Sequence, residues 1–157
     1  MRKISLFLLC LCISACGYRY TWEDPGKSRM ISNDCFDASI EPSPNYRKGF
    51  NSFMLKVKNK TDKDLTIDWN RSFYIRDGAT NGGLDYLNRC YSGKKEPGII
   101  FPGGSFATHV FPDVLLVEVL LGCDHEYLPE GNNGIMLSVI CEEKEIREKM
   151  NVRICPN

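Results

Sequence analysis

No apolar stretch of this chain is long enough to cross a bilayer as a helix. The one sustained run covers residues 4–13, about ten residues where a spanning helix needs roughly 20. Charge of either sign is not in excess, since 20 basic residues balance 20 acidic ones. A nucleic-acid partner calls for a basic face or a high pI, and anionic lipid calls for a polybasic patch; the sequence offers neither. No Cys-x-x-Cys pair occurs, which excludes the thioredoxin-like redox motif and the paired-cysteine zinc site. A sustained helical stripe, apolar at every third or fourth position, is missing as well.

The strongest positive signal is at the N-terminus. Arg2 and Lys3 precede the apolar run, and Ser14 and Ala15 follow it. That is the basic start, apolar middle and small-residue exit of a secretory signal. Cys16 comes directly after. The order Ile13-Ser14-Ala15-Cys16 resembles the lipobox of bacterial lipoproteins. The resemblance implies that the Cys16 thiol receives a diacylglycerol and that the signal is cut before it. It also implies that the new amino terminus is acylated, with a fatty acid such as palmitate. Ile13, Ser14 and Ala15 then occupy the signal-peptidase recognition positions. Cys10 and Cys12 are poorer lipid sites, because Leu9 and Leu11 stand before them where a small residue is required. Gly17 rather than Asp follows the lipid site, which under enterobacterial sorting implies the outer membrane. At least two acyl chains make a stable anchor, each buried methylene contributing about 0.8 kcal/mol. The alternative, a plain secretory signal cut near Ala15, leaves Cys16 as an ordinary thiol.

Removing residues 1–15 of the 157 leaves 142 residues, with 18 basic against 20 acidic, a formal charge of −2. That length suits one domain. The expected division is a signal peptide over 1–15, a lipidated N-terminus and tether over 16–33, and a β-domain over 34–157. Tyr18, Tyr20 and Trp22 in the tether suit the headgroup level of a membrane or a place packed on the domain.

Five cysteines follow Cys16: Cys35, Cys90, Cys123, Cys141 and Cys155. Export makes disulfides permissible, and sequence alone does not choose the pairing. Cys90–Cys123 is favoured, as both fall in loops outside the regular hairpins. Cys35 and Cys155 sit on the outward parity of the first and last strands, where they would staple the termini. Some of the five can instead remain reduced in the core as small apolar residues.

From Cys35 onward the apolar period is two, the signature of half-buried strands. Phe36, Ala38 and Ile40 alternate with polar neighbours until Pro42 and Pro44 break the run. Phe53, Leu55 and Val57 do the same, and after a polar turn Leu65, Ile67 and Trp69 resume, which predicts a hairpin. Phe73, Tyr74 and Ile75 form a further strand closed by Asp77-Gly78, with Thr80-Asn81-Gly82-Gly83 flexible. Pro102-Gly103-Gly104 is a turn before Phe106, Thr108 and Val110. Residues 114–121 are nearly all apolar, and periodicity does not choose between a buried strand and a helical turn or two. Residues 124–133 read as loop. The last hairpin is the clearest: Ile135, Leu137 and Val139 run up to Cys141, a charged turn follows, and Ile146, Met150, Val152 and Ile154 complete it. Short strands with frequent turn signals predict an all-β antiparallel sandwich.

A second resemblance rests on Asn59, Leu65-Thr66-Ile67-Asp68-Trp69-Asn70, Ser72, Tyr74-Ile75, Gly78, the Pro102 turn and the closing hairpin. Over most of residues 50–157 the chain is similar to a group of uncharacterised bacterial envelope lipoproteins. That similarity implies an immunoglobulin-like sandwich and brings no catalytic residues with it.

Cys123-Asp124-His125-Glu126 is the one cluster whose side chains all bind metals. Adjacent residues seldom converge on one ion, and the only other histidine is His109; an exposed polar loop is the expectation, with no metal and no cofactor. Ser105 lacks the flanking glycine and strand-turn-helix setting of a nucleophile elbow. With no nucleophile–base pair in view, the expected role is non-enzymatic: a lipid-anchored outer-membrane protein that binds another envelope protein. Two alternatives stand beside it, a metal-dependent envelope factor using the 123–126 loop, and a lipoprotein that excludes or inhibits a phage or competitor.

Overall fold

The computed structural model describes residues 20–23, 29–45, 49–86, 95–119 and 122–156, with the backbone alone for residues 118, 119, 122 and 123. The expectations at Ile13, Ser14, Ala15, Cys16 and Cys90 lie outside the described residues.

The chain opens with β1 (Tyr20–Trp22) and β2 (Arg29–Ser32), then the long strands β3 (Phe36–Asn45) and β4 (Gly49–Asn59). Short elements follow: β5 (Leu65–Ile67), a 3-10 turn at Trp69–Arg71, β6 (Phe73–Arg76) and β7 (Ala79–Asp85). After β8 (Gly98–Ile100) and β9 (Ser105–Pro112) come a second 3-10 turn at Asp113–Leu115 and the strands β10 (Leu116–Val119) and β11 (Gly122–His125). The chain closes on β12 (Gly131–Cys141) and β13 (Lys144–Pro156).

The protein is all-β and antiparallel. Its main sheet runs β1-β13-β12-β6-β7-β9-β4-β3-β2, with β5 sharing β12 and β8 beyond β5; β10 and β11 form a separate hairpin. The main sheet is a strongly curled half-barrel. The period of two explains why it curls around a core. Phe53, Leu55 and Val57 of β4 are at most 1% exposed, while Lys56 and Lys58 between and beyond them face solvent. Phe36, Ala38 and Ile40 of β3 and Ile135, Leu137 and Val139 of β12 point into the same buried cluster. Each fully buried side chain of this size contributes roughly 1.5–3 kcal/mol by leaving water.

The closing hairpin is as the sequence predicts, with Cys141 opposite Lys144. Glu142 and Glu143 both hold positive φ, 49° and 66°, as a two-residue type I′ turn demands. Other expectations are corrected. Leu65 and Ile67 do not return along β4: β5 pairs with β12 and β8, and β4 pairs with β3 and β9. Pro42 and Pro44 do not end β3. Beyond Ile40 no described strand pairs on the β2 side, and the register shifts between Ser43 and Pro44, positions where a missing N–H is tolerated. Thr80 to Gly83 form part of β7 rather than a flexible link. Residues 114–119 are neither one strand nor one helix, but the end of a 3-10 turn followed by β10. Asp124 and His125, expected in a loop, belong to β11, and residues 131–133 to β12.

The sheet also begins earlier than expected. Tyr20, Thr21 and Trp22 pair with Pro156, Cys155 and Ile154, inside the 16–33 segment read as a tether. Trp22 is 5% exposed, so its ring packs on the domain, one of the two placements left open for these aromatics. Arg29–Ser32 adds β2 to the edge of β3.

Candidate functional site

The metal-binding alternative depends on the 123–126 segment, and strand geometry disperses it. Along β11 successive side chains point to opposite faces, so Asp124 is exposed while His125 is buried. The His125 ring lies against Phe111, centroids 4.7 Å apart. Glu126 is exposed, and the side chain of Cys123 is not among those described. His109 stands exposed on β9, with its ring 6.4 Å from the Phe111 centroid. Phe111 is therefore the neighbour of both imidazoles. Among the described residues no group of three or more His, Cys, Asp or Glu side chains is placed to hold a metal ion.

His125 has chemistry of its own. Burial pushes its pKa down, and the carboxylates of Asp85, Asp124 and Asp113 offset only part of that. Its Nε2 has no hydrogen-bond partner among the described residues. A neutral imidazole at neutral pH suits such a setting, because a buried cation without a bonded partner is costly.

The described cysteines lie elsewhere than the favoured pairing. Cys35 precedes β3 and Cys141 ends β12, and their sulfurs are 2.6 Å apart. Cys155 sits on β13 opposite Thr21. Cys35 thus meets Cys141 rather than Cys155. The pairing of Cys90 with Cys123 falls outside the described residues. The Cys35–Cys141 meeting was not visible in the sequence, because Cys141 continues the inward row of Ile135, Leu137 and Val139 and reads as a core residue.

Two surface features have no counterpart in the sequence reading. The first is an exposed apolar pair: Ile99 on β8 is 55% exposed and Phe101 just beyond it 69%. Two residues apart on extended chain, they share one face, while Ile100 between them is 3% exposed. Their base is well held. The Ile100 carbonyl accepts a bond from the Asn59 carboxamide at 2.9 Å, and Gly104 N donates to the Phe101 carbonyl at 2.9 Å. The second feature lies on the outer face of β2, β3, β4 and β9. Met30, Ser39, Lys56 and Ala107 follow one another in register across the four strands. Small Ser39 and Ala107 leave a shallow groove of about 220 Å³ beside Met30, which is 67% exposed. An observable sequence signal existed for both: Met30, Ile99 and Phe101 are large apolar residues on a short strand or just beyond one, where one face is solvent.

Other polar groups serve the scaffold. Glu145 accepts from Arg147 and Ser138 and pairs with Arg71, and these contacts hold its carboxyl down to about 2. Lys95 donates to the Leu84 carbonyl at 2.6 Å and to Asp113 at 2.9 Å, fastening the chain after residue 94 to β7 and the second 3-10 turn. Trp69, read as continuing the strand of Leu65 and Ile67, lies instead in the 3-10 turn after β5; it is 1% exposed, and its ring stacks on Tyr86 with centroids 4.6 Å apart, so it fills the core.

In comparisons with known proteins, no family model, no curated protein and no solved structure matches this chain.

Proposed function

We propose that this chain is a non-enzymatic envelope lipoprotein, held at the outer membrane by a diacylglycerol on Cys16, whose β-domain docks another envelope protein. The anchor rests on Arg2, Lys3, the apolar run and Ile13-Ser14-Ala15-Cys16. The observation that carries the docking role is the pair Ile99 and Phe101, held out of the core at the end of β8, where the carbonyls of Ile100 and Phe101 are both hydrogen-bonded. Aromatic anchors on rigid elements supply most of the energy in protein interfaces, and a fixed backbone lowers the ordering cost of binding.

The finer fold assignment, an immunoglobulin-like sandwich, belongs to the same proposal. Its support is that β3 and β4 contribute to one core with β12 and β13. The unbroken hydrogen-bonded path from β1 to β2 weighs against it.

The metal-dependent alternative has less support, since His125 lies against Phe111 and Asp124 is on the exposed side. Exclusion of a phage or competitor uses the same docking face and differs in its target.

A photo-crosslinking residue at position 101 in intact cells tests the docking role. The expected result is one discrete adduct with an envelope protein, absent when the crosslinker is moved to position 149 on β13 and lost with Ile99→Asp. Equal crosslinking from both positions, or none from 101, overturns it.

A further inference from the structure

The two walls of the half-barrel meet along a seam where β2 and the start of β3 approach β13 and the end of β12. Among the described residues no ladder of backbone hydrogen bonds crosses it. Asn33 bridges it through a side-chain bond to Glu148 at 3.1 Å. The same Asn33 accepts the N–H groups of Cys35 and Phe36 at 2.9 Å each, and Lys60 N donates to the Cys35 carbonyl at 2.9 Å. The backbone of Cys35 is therefore held on both its polar groups. Cys141 is held equally firmly, paired with Leu65 of β5 and Lys144 of β13. Two fixed backbones thus bring the sulfurs to 2.6 Å, between the roughly 2.05 Å of a disulfide bond and ordinary non-bonded contact. A cleft of about 440 Å³ opens over the pair, edged by Asn33, Asp34, Glu142 and Glu145.

We infer that Cys35 and Cys141 are a built crosslinking site, closed as a disulfide by a disulfide-donating oxidant and joining the start of β3 to the end of β12. Cys35 is half-buried at the cleft and Cys141 is 3% exposed, which sets the order of events. A donor disulfide reaches the more open Cys35 first, so Cys35 makes the first attack, while burial, with Cys35 and Glu142 beside it, pushes the Cys141 thiol up to about 11. The Cys35 thiolate attacks one sulfur of the donor disulfide, whose second sulfur leaves as a thiolate and takes up a proton. Cys141 then loses its proton and attacks the Cys35 sulfur of the mixed disulfide, and the remaining donor half departs as thiol. Two protein thiols have lost two electrons and two protons, and one donor disulfide has become two thiols. Cys155 is left as a thiol in this scheme. The inference stands apart from the membrane anchor and the docking face, because it concerns only the domain's own seam.

The crosslink closes a span of 106 residues, and long closed loops restrict the unfolded chain most. The test uses the purified full chain incubated with oxidised glutathione, then alkylated and digested without reduction. The expected product is a peptide pair joining Cys35 to Cys141. Alkylation or glutathione adducts on both residues, or either one joined to Cys155, Cys90 or Cys123, overturns the inference. Reducing the crosslinked protein is expected to lower its melting temperature by about 10 °C. An unchanged melting temperature overturns the claim that the bond staples the two walls.

Discussion

The Asn59 carboxamide donates to the Ile100 carbonyl at 2.9 Å across 41 residues of sequence, and it is the hinge on which the chain changes walls. The same nitrogen donates to the Lys63 carbonyl at 2.7 Å, and the oxygen accepts from the Thr61 N–H and hydroxyl at 2.8 Å each. One fully buried side chain thus ends β4, shapes the turn behind it and pins β8.

Replacing Asn59 with Ala leaves the Ile100 carbonyl buried without its side-chain donor and frees the turn. Each stranded group costs about 1–3 kcal/mol, and the expected loss is about 3 kcal/mol in urea unfolding. A change within about 0.5 kcal/mol, the usual span of surface substitutions, would contradict this role.

The closing hairpin makes two predictions of opposite sign. A Cβ on Gly134 falls within contact of the Met150 carbonyl oxygen and of Asn151 on β13, so Gly134→Ala must part the two strands. Overpacking of this kind costs about 1–3 kcal/mol. At the turn, Glu143 holds φ 66°, where an L side chain is strained by about 1–2 kcal/mol. Glu143→Gly is expected to stabilise the protein by about 1 kcal/mol, read as a higher midpoint in chemical unfolding with the slope unchanged.

Acid stability has two windows. His125 is held below its ordinary value of 6.5, chiefly by burial and against the pull of Asp85, Asp124 and Asp113. Below that value the unfolded chain binds the proton more readily, so stability is full above about pH 6.5 and falls as the pH drops toward the folded value. Glu145 is held at about 2 against an ordinary 4.5, first by Arg147 and Ser138. Its contribution is complete above 4.5 and is lost as the pH falls toward 2. Unfolding midpoints measured between pH 7 and pH 3 should therefore decline in two steps. His125→Gln should flatten the first and leave the second, and an unaltered first step would assign it to another group.

The core was legible from the period of two. Phe53, Leu55, Val57, Ile135, Leu137 and Val139 are all buried, because alternation fixes which face of a strand is apolar. It does not fix which strand lies alongside. Leu65 and Ile67 keep the right face inward and still pair with β12 rather than β4, a choice made by the Asn59 turn. Proline looked like a breaker at Pro42 and Pro44, yet it costs little where no ladder bond is owed. The Cys35–Cys141 seam was illegible because it is a contact between segments 106 residues apart. Ile99 and Phe101 were in view as large apolar residues, but which of their faces meets solvent is decided by the pairing of β8 with β5.

The anchor is the centre of the account, and the intact mass of membrane-extracted protein, set beside a Cys16→Ser variant, tests it most directly. The account predicts a chain that begins at Cys16 and carries a diacylglycerol and an acyl chain, with that added mass lost in the variant. An unmodified mass, or a chain that begins elsewhere, would contradict it.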